Sequence, residues 1–203
     1  MNGAVTDAMR AYGGGEAGYG LNYGVSLPTI REIAQEWGPD HALAETLWRQ
    51  DVRELKLAAL FVDEPEAVTA EQMEAWAADW RTAELAEQCA MQLFWRSPAA
   101  WATAIGWTEQ KPTPDATGAF KRLAAFYMLG RLASDQQVAD DDFHRLLSLP
   151  SVFGPGTTER SAAYALREIH RHRPALRTQV ADSLNRVSAA VADEVRWQIE
   201  YLP

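Results

Sequence analysis

Apolar residues recur along this chain at three- and four-residue intervals, and no stretch alternates in the manner of a half-buried strand. Residues 51–62, "DVRELKLAALFV", place Val52, Leu55, Ala59 and Val62 on one helical face. Thr69-Ala70-Glu71-Gln72 reads as a capping box that opens "AEQMEAWAADW". Ser97-Pro98 reads as a cap followed by proline at the first helical position. Pro39, Pro65, Pro112, Pro114, Pro155 and Pro174 fall between periodic segments, where helices should break. The pattern predicts about ten to twelve helices, commonly of roughly 10–18 residues, joined by short turns. The glycine-rich stretch 13–20, "GGGEAGYG", reads as a flexible loop, and 148–157, "SLPSVFGPGT", as a second irregular connection.

Helix after helix with short turns predicts an all-α protein. An α-solenoid of antiparallel helix pairs, spanning 1–203 as a single domain, fits that description. The repeats are too degenerate to show a fixed period, so a globular bundle fits the same pattern.

The 203 residues suffice for a sizeable core, and 47% of them are apolar, eight being tryptophan. That excludes a disordered chain. The single cysteine, Cys89, excludes an internal disulfide framework, fits a reducing compartment, and lies in an apolar run as a structural thiol would. No basic segment leads into an apolar run at the start, and no uncharged apolar stretch approaches the ~20 residues of a membrane span. A soluble, cytoplasmic monomer is the expectation.

The formal charge of −9 is uneven. Residues 1–116 hold eight Lys/Arg against eighteen Asp/Glu, whereas 117–203 hold eleven against ten. An acidic total argues against general nucleic-acid affinity, yet leaves room for a basic face in the second half. The densest cationic cluster is "REIHRHRPALR", with Arg167, His170, Arg171, His172, Arg173 and Arg177. Its two readings are a phosphate grip, extended by Lys121, Arg122 and Arg131, and a solubilising helix end. His170 and His172 point to different helix faces and no cysteine joins them, so no metal is expected. No phosphate-binding loop, dinucleotide fingerprint or nucleophile elbow occurs, and no cofactor is expected. Trp95, Trp101 and Trp107, spaced by six, fit helix-pair junctions better than a stacking surface.

Several segments, taken in order, resemble the bacterial DNA alkylation repair proteins built from HEAT-like repeats. They are "NYGVSLPTIREIA" (22–34), "ALAETLWRQDVRELKLAALFV" (42–62), "EQMEAWAADW" (71–80), "EQCAMQLF" (87–94), "FKRLAAF" (120–126) and "ERSAAYALREIHRHRP" (159–174). The likeness runs over about residues 6–178. It implies a solenoid whose concave side receives DNA, duplex or branched, through phosphate contacts. In the family's active glycosylases, a tryptophan and an aspartate one helical turn apart stand against the deoxyribose. The aspartate stabilises the oxocarbenium-like sugar while a cationic N-alkylated purine departs. A second aromatic contacts the backbone, and an arginine holds a phosphate.

Carried onto this chain, the tryptophan falls on Ala83, the aspartate on Glu87, the arginine on Arg122, and the second aromatic on Tyr164. Losing the tryptophan removes a stacking surface of about 1–3 kcal/mol. Glutamate displaces the charge by roughly a carbon–carbon bond, and a misplacement of about 1 Å can cost on the order of a hundredfold in rate. The resemblance therefore implies DNA binding with excision weakened or lost. One alternative is a rearranged site. In "WRTAELAEQC", Trp80 and Glu84 repeat the active spacing on what reads as one helical face, with Glu87 a turn further. The bland reading places Trp80 in the core and the carboxylates on a solvated face. A further alternative for Arg122 is an ion pair with Glu87 or Glu84. The remaining alternative is a protein-binding scaffold, which the acidic charge favours.

Overall fold

The computed structural model describes residues 19–109, 116–154 and 160–201. All regular structure among them is helical, apart from one isolated bridge between Leu21 and Val52. Eleven α-helices follow in order: α1 Leu27–Gln35, α2 His41–Trp48, α3 Arg53–Val62, α4 Ala70–Ala78, α5 Ala83–Gln88, α6 Ala100–Glu109, α7 Ala116–Leu132, α8 Asp140–Ser148, α9 Arg160–His172, α10 Arg177–Leu184 and α11 Ala189–Tyr201. Short 3₁₀ turns precede or link several of them, and a single π-turn, Cys89–Leu93, continues α5.

The local chemistry explains the boundaries. Ser26, Asp40, Thr69 and Thr82 each accept a hydrogen bond from the backbone N–H three residues on, covering an otherwise orphaned donor at a helix start. The Thr69 cap forms as the sequence predicts, but the other arm of the expected capping box does not, because the Gln72 side chain donates to Asp63 at 2.7 Å instead. The Ser97 hydroxyl accepts from the N–H of Ala99 and donates to the Val68 carbonyl, so it caps the turn into α6 and ties that turn to an earlier loop. Gly38, at φ +74°, reverses the chain after α1.

The chain divides into two compact units, residues 1–100 with 113–120, and residues 101–112 with 121–203. In the first unit α3 packs against α1, α2, α5 and the π-turn. It is buried nearly all round: Leu57, Ala59, Leu60 and Val62 are in the core, and so are Arg53, Glu54 and Lys56. The single apolar face read from the sequence misses this second, polar buried face. Trp48 stacks on Trp76 with ring centroids 4.0 Å apart, and Phe94 joins Trp76 and Trp80 at 6.1 and 6.2 Å. In the second unit α9 packs on α10 and α11, and α10 on α8. Phe126, Phe143, Phe153, Leu166, Ile169 and Trp107 fill its core. Trp101 meets Phe143 edge-on at 5.0 Å, so Trp101 and Trp107 both serve packing.

Of the glycine-rich stretch, residues 13–18 lie outside the described residues. Its last two residues are held in place. The Tyr19 hydroxyl reaches Glu84 and Thr82, and a Cβ on Gly20 would come within 2.9 Å of the Asp51 carbonyl oxygen. Glycine is what lets the backbone pass there. The second irregular connection is described only to residue 154. No helix among the described residues is long and apolar enough to cross a membrane.

Candidate nucleic-acid interface

The stretch 80–89 does not form one continuous helix. Helix α4 ends at Ala78, and α5 begins at Ala83 with Thr82 as its cap. Trp80 therefore sits in the connection, 4% exposed, with its ring 6.2 Å from that of Phe94. The i, i+4 geometry expected for Trp80 and Glu84 requires an unbroken helix, and the cap at Thr82 breaks it. Ala83 is exposed at the first turn of α5, and Glu87, half-buried, lies one turn beyond it on the same helix. Cys89 is fully buried and its thiol is held well above the usual range by desolvation, which makes it inert as a nucleophile.

Glu84 is not a solvated carboxylate. Its two oxygens receive Nε and Nη2 of Arg53, with Nε at 2.9 Å, in a bidentate fork. The Tyr19 hydroxyl donates to it at 3.0 Å. Arg53 is 1% exposed and also donates to the Val25 carbonyl and to Glu54. Glu54 in turn accepts the backbone N–H groups of Tyr23 and Val25. Burial, followed by the Glu84 charge, pushes the Tyr19 phenol far above its ordinary value, so it stays a donor. This network fastens residues 19–25 across α3 and α5. Sequence reasoning missed Arg53, whose signal was a cation one residue before a carboxylate in an otherwise apolar helix. The pairing weighed between Glu84 and Arg122 is replaced by the one with Arg53.

In the second unit the "REIHRHRPALR" cluster splits by function. Arg173 is 5% exposed: Nε donates to the Ala133 carbonyl, Nη1 to Asp140 at 2.9 Å, and Nη2 to the Asp135 carbonyl, while its guanidinium covers Phe143. It ties α9 to the end of α7 and the start of α8, and its assignment to phosphate is corrected on that ground. Arg167 and His172 both pair with Glu168. Arg171 and Arg177 remain exposed, Arg177 resting Nε on the His170 carbonyl at 3.1 Å. Burial, with the Arg177 charge, holds the His170 imidazole below the usual histidine value.

Tyr164 is half-buried on α9. Tyr127 lies 5.3 Å from its ring, Arg167 covers it at 5.1 Å, and the Arg131 charge acts on its phenol. Burial and the Glu168 charge raise its phenol, which keeps it protonated. The ring runs directly over Gly130 on α7, where a Cβ would meet it at 2.3 Å. Arg122 on α7 donates to the Thr108 and Val152 carbonyls and lies over Phe126 at 5.2 Å, half-buried with its neighbour Lys121. Tyr164, Arg167 and Arg131 thus form one aromatic–cation cluster, with Arg171 and Arg177 projecting from the far end of α9 and from α10. Among the described residues no three His, Cys, Asp or Glu side chains group as metal ligands.

The model of the DNA alkylation repair enzyme family matches residues 4–112, more than half of the chain. The chain belongs to that family. Its fold is also that of a solved structure described as a new family of proteins related to the HEAT-like repeat DNA glycosylases with affinity for branched DNA structures. The TM-score is 0.76 at 13% identity, over 98% of this chain and 88% of the other. The HEAT-like architecture expected from the sequence is thereby met. No curated protein matches the chain. The matched segment contains Ala83 and Glu87.

Proposed function

We propose that this protein binds DNA through phosphate contacts in its second unit, and that excision of N-alkylated purines is weakened or lost. The observation that carries the reading is Ala83. It stands exposed at the head of α5, and Trp80, the nearest aromatic in the chain, is committed to the core beside Phe94 and Cys89. A cationic purine departing near α5 would find the Glu87 carboxylate, one methylene longer than aspartate, and no indole from position 83 or 80. Glu84 cannot substitute, because its charge is already neutralised by Arg53. A rearranged site built on Trp80 and Glu84 is therefore not proposed, and Glu87 is the sole carboxylate retained from it.

For DNA contact, Arg171 and Arg177 offer exposed guanidinium groups, with Lys121, Arg122 and Arg167 as further phosphate donors and Tyr164 as a rigid aromatic edge. A preference for branched over linear duplexes is part of the proposal, since the structurally similar protein is described by that affinity. The test is a binding titration on linear and four-way DNA at two salt concentrations. Affinity should fall steeply with salt, and Arg171→Ala and Arg177→Ala should each lower the log–log slope by about one, as each leaves one phosphate without its cation. No binding at low salt, or a slope unchanged by both substitutions, would remove DNA as the partner.

A further inference from the structure

The first unit carries a surface that the DNA reading leaves unused. Helices α1, α2 and α3 each turn one apolar face to the core, through Ile30, through Ala44 and Trp48, and through Leu57 and Leu60. Each also turns apolar residues the other way. Ile33 and Trp37, Leu43 and Leu47, and Leu55 and Ala58 come in pairs at i, i+4 or i, i+3 spacing and line a groove of about 230 Å³. Ile33 is 54% and Trp37 72% exposed. No polar side chain lines the groove, so nothing in it would orient a small polar ligand. An apolar face left partly exposed calls for a second partner.

Charge selects the second partner. Glu32 and Glu36 flank Ile33 in the chain, and Glu36 and Asp40 flank Trp37. All three are exposed, and none joins an ion pair among the described residues, although Asp40 accepts from the Leu43 N–H. The neighbouring cations are engaged: Arg49 with Glu45 at 3.2 Å, and Arg31 with Gln92 at 2.7 Å. Phosphates would be repelled by such a rim. A second copy of the chain, set by a two-fold axis, would bring the same carboxylates against each other. An amphipathic helix with an apolar stripe bordered by Lys or Arg satisfies both the groove and its rim. We infer that the α1–α2–α3 groove is a docking site for a basic amphipathic helix of a partner protein.

The probe is a fluorescently labelled Leu/Lys peptide with leucines at i, i+3, i+4 and i+7, set beside a scrambled peptide of identical composition, and titrated against the full chain. The patterned peptide should bind roughly tenfold more tightly than the scrambled one. Trp37→Ala and Glu36→Lys, both at exposed positions that leave the core intact, should each weaken it about tenfold. Trp197→Ala, at an exposed aromatic in the second unit, should leave it unchanged. Absent binding, equal affinity for the scrambled peptide, or indifference to Trp37→Ala would overturn the inference. So would a concentration-dependent increase in mass that Trp37→Ala abolishes, which would make a second copy the occupant. The DNA titration is independent of each of these results.

Discussion

At position 84 one carboxylate answers both Arg53 and Tyr19, and this makes it structural. Glu84→Ala leaves the buried Arg53 guanidinium without its bidentate partner and with only the Glu54 carboxylate at 3.3 Å as counter-charge, which should cost about 3 kcal/mol in chemical denaturation. A loss within experimental error would mean that the Arg53 fork does not hold residues 19–25 in place. His41 and Asp63 form a second buried-edge pair at 2.7 Å. The Asp63 hydrogen bond raises the histidine, while burial raises the Asp63 carboxyl. A histidine whose folded value lies above its unfolded value of about 6.5 stabilises fully below that value and loses the effect as pH rises through the folded one. The difference in Tm between wild type and His41→Asn should therefore be largest near pH 6 and shrink toward about pH 9. A difference that grows with pH would contradict the pairing. Neither network was legible in the sequence. Arg53, Glu54 and Lys56 fall outside the apolar face read for α3, and a single helix's periodicity does not reveal which neighbours bury its polar side.

Between elements, the packing of α7 on α9 depends on Gly130. Alanine in a helix interior ordinarily stabilises by up to about 1 kcal/mol relative to glycine. Here the added Cβ would strike the Tyr164 ring, which Tyr127, Arg131 and Arg167 prevent from moving. Gly130→Ala should destabilise by about 1–3 kcal/mol, and Tyr164→Ala in the same chain should restore part of that loss. Urea denaturation of the four members of this cycle gives the coupling, and strict additivity would show that the ring does not rest on the glycine. Helix existence and order were readable from spacing, and so was the Thr69 cap. The break at residues 79–82 was not. "WRTAELAEQC" satisfies helical spacing throughout, and only the cap at Thr82 together with the burial of Trp80 separates α4 from α5. The cationic run 167–177 likewise read as one patch, yet Arg173 is drawn inward by the Ala133 and Asp135 carbonyls, which lie about forty residues earlier in the chain.

Over the whole molecule, the uneven charge acquires a physical meaning. The acidic half contains the groove with its carboxylate rim, and the balanced half contains Arg171 and Arg177. In the proposed reading one chain joins nucleic acid with one half and a basic protein segment with the other. The all-helical class was legible because it rests on periodicity repeated across the whole length, whereas the HEAT-like pairing was legible only through the family resemblance. In the proposed reading the chemistry rests on two positions, 83 and 87, which the sequence offers only through the family resemblance. The most direct measurement is single-turnover release of free alkylated purine from methylated duplex DNA, with wild type beside the Ala83→Trp, Glu87→Asp double variant. The account predicts background release by wild type, even with enzyme in large excess, and release above background by the variant. Release by wild type that equals or exceeds that of the variant would contradict it.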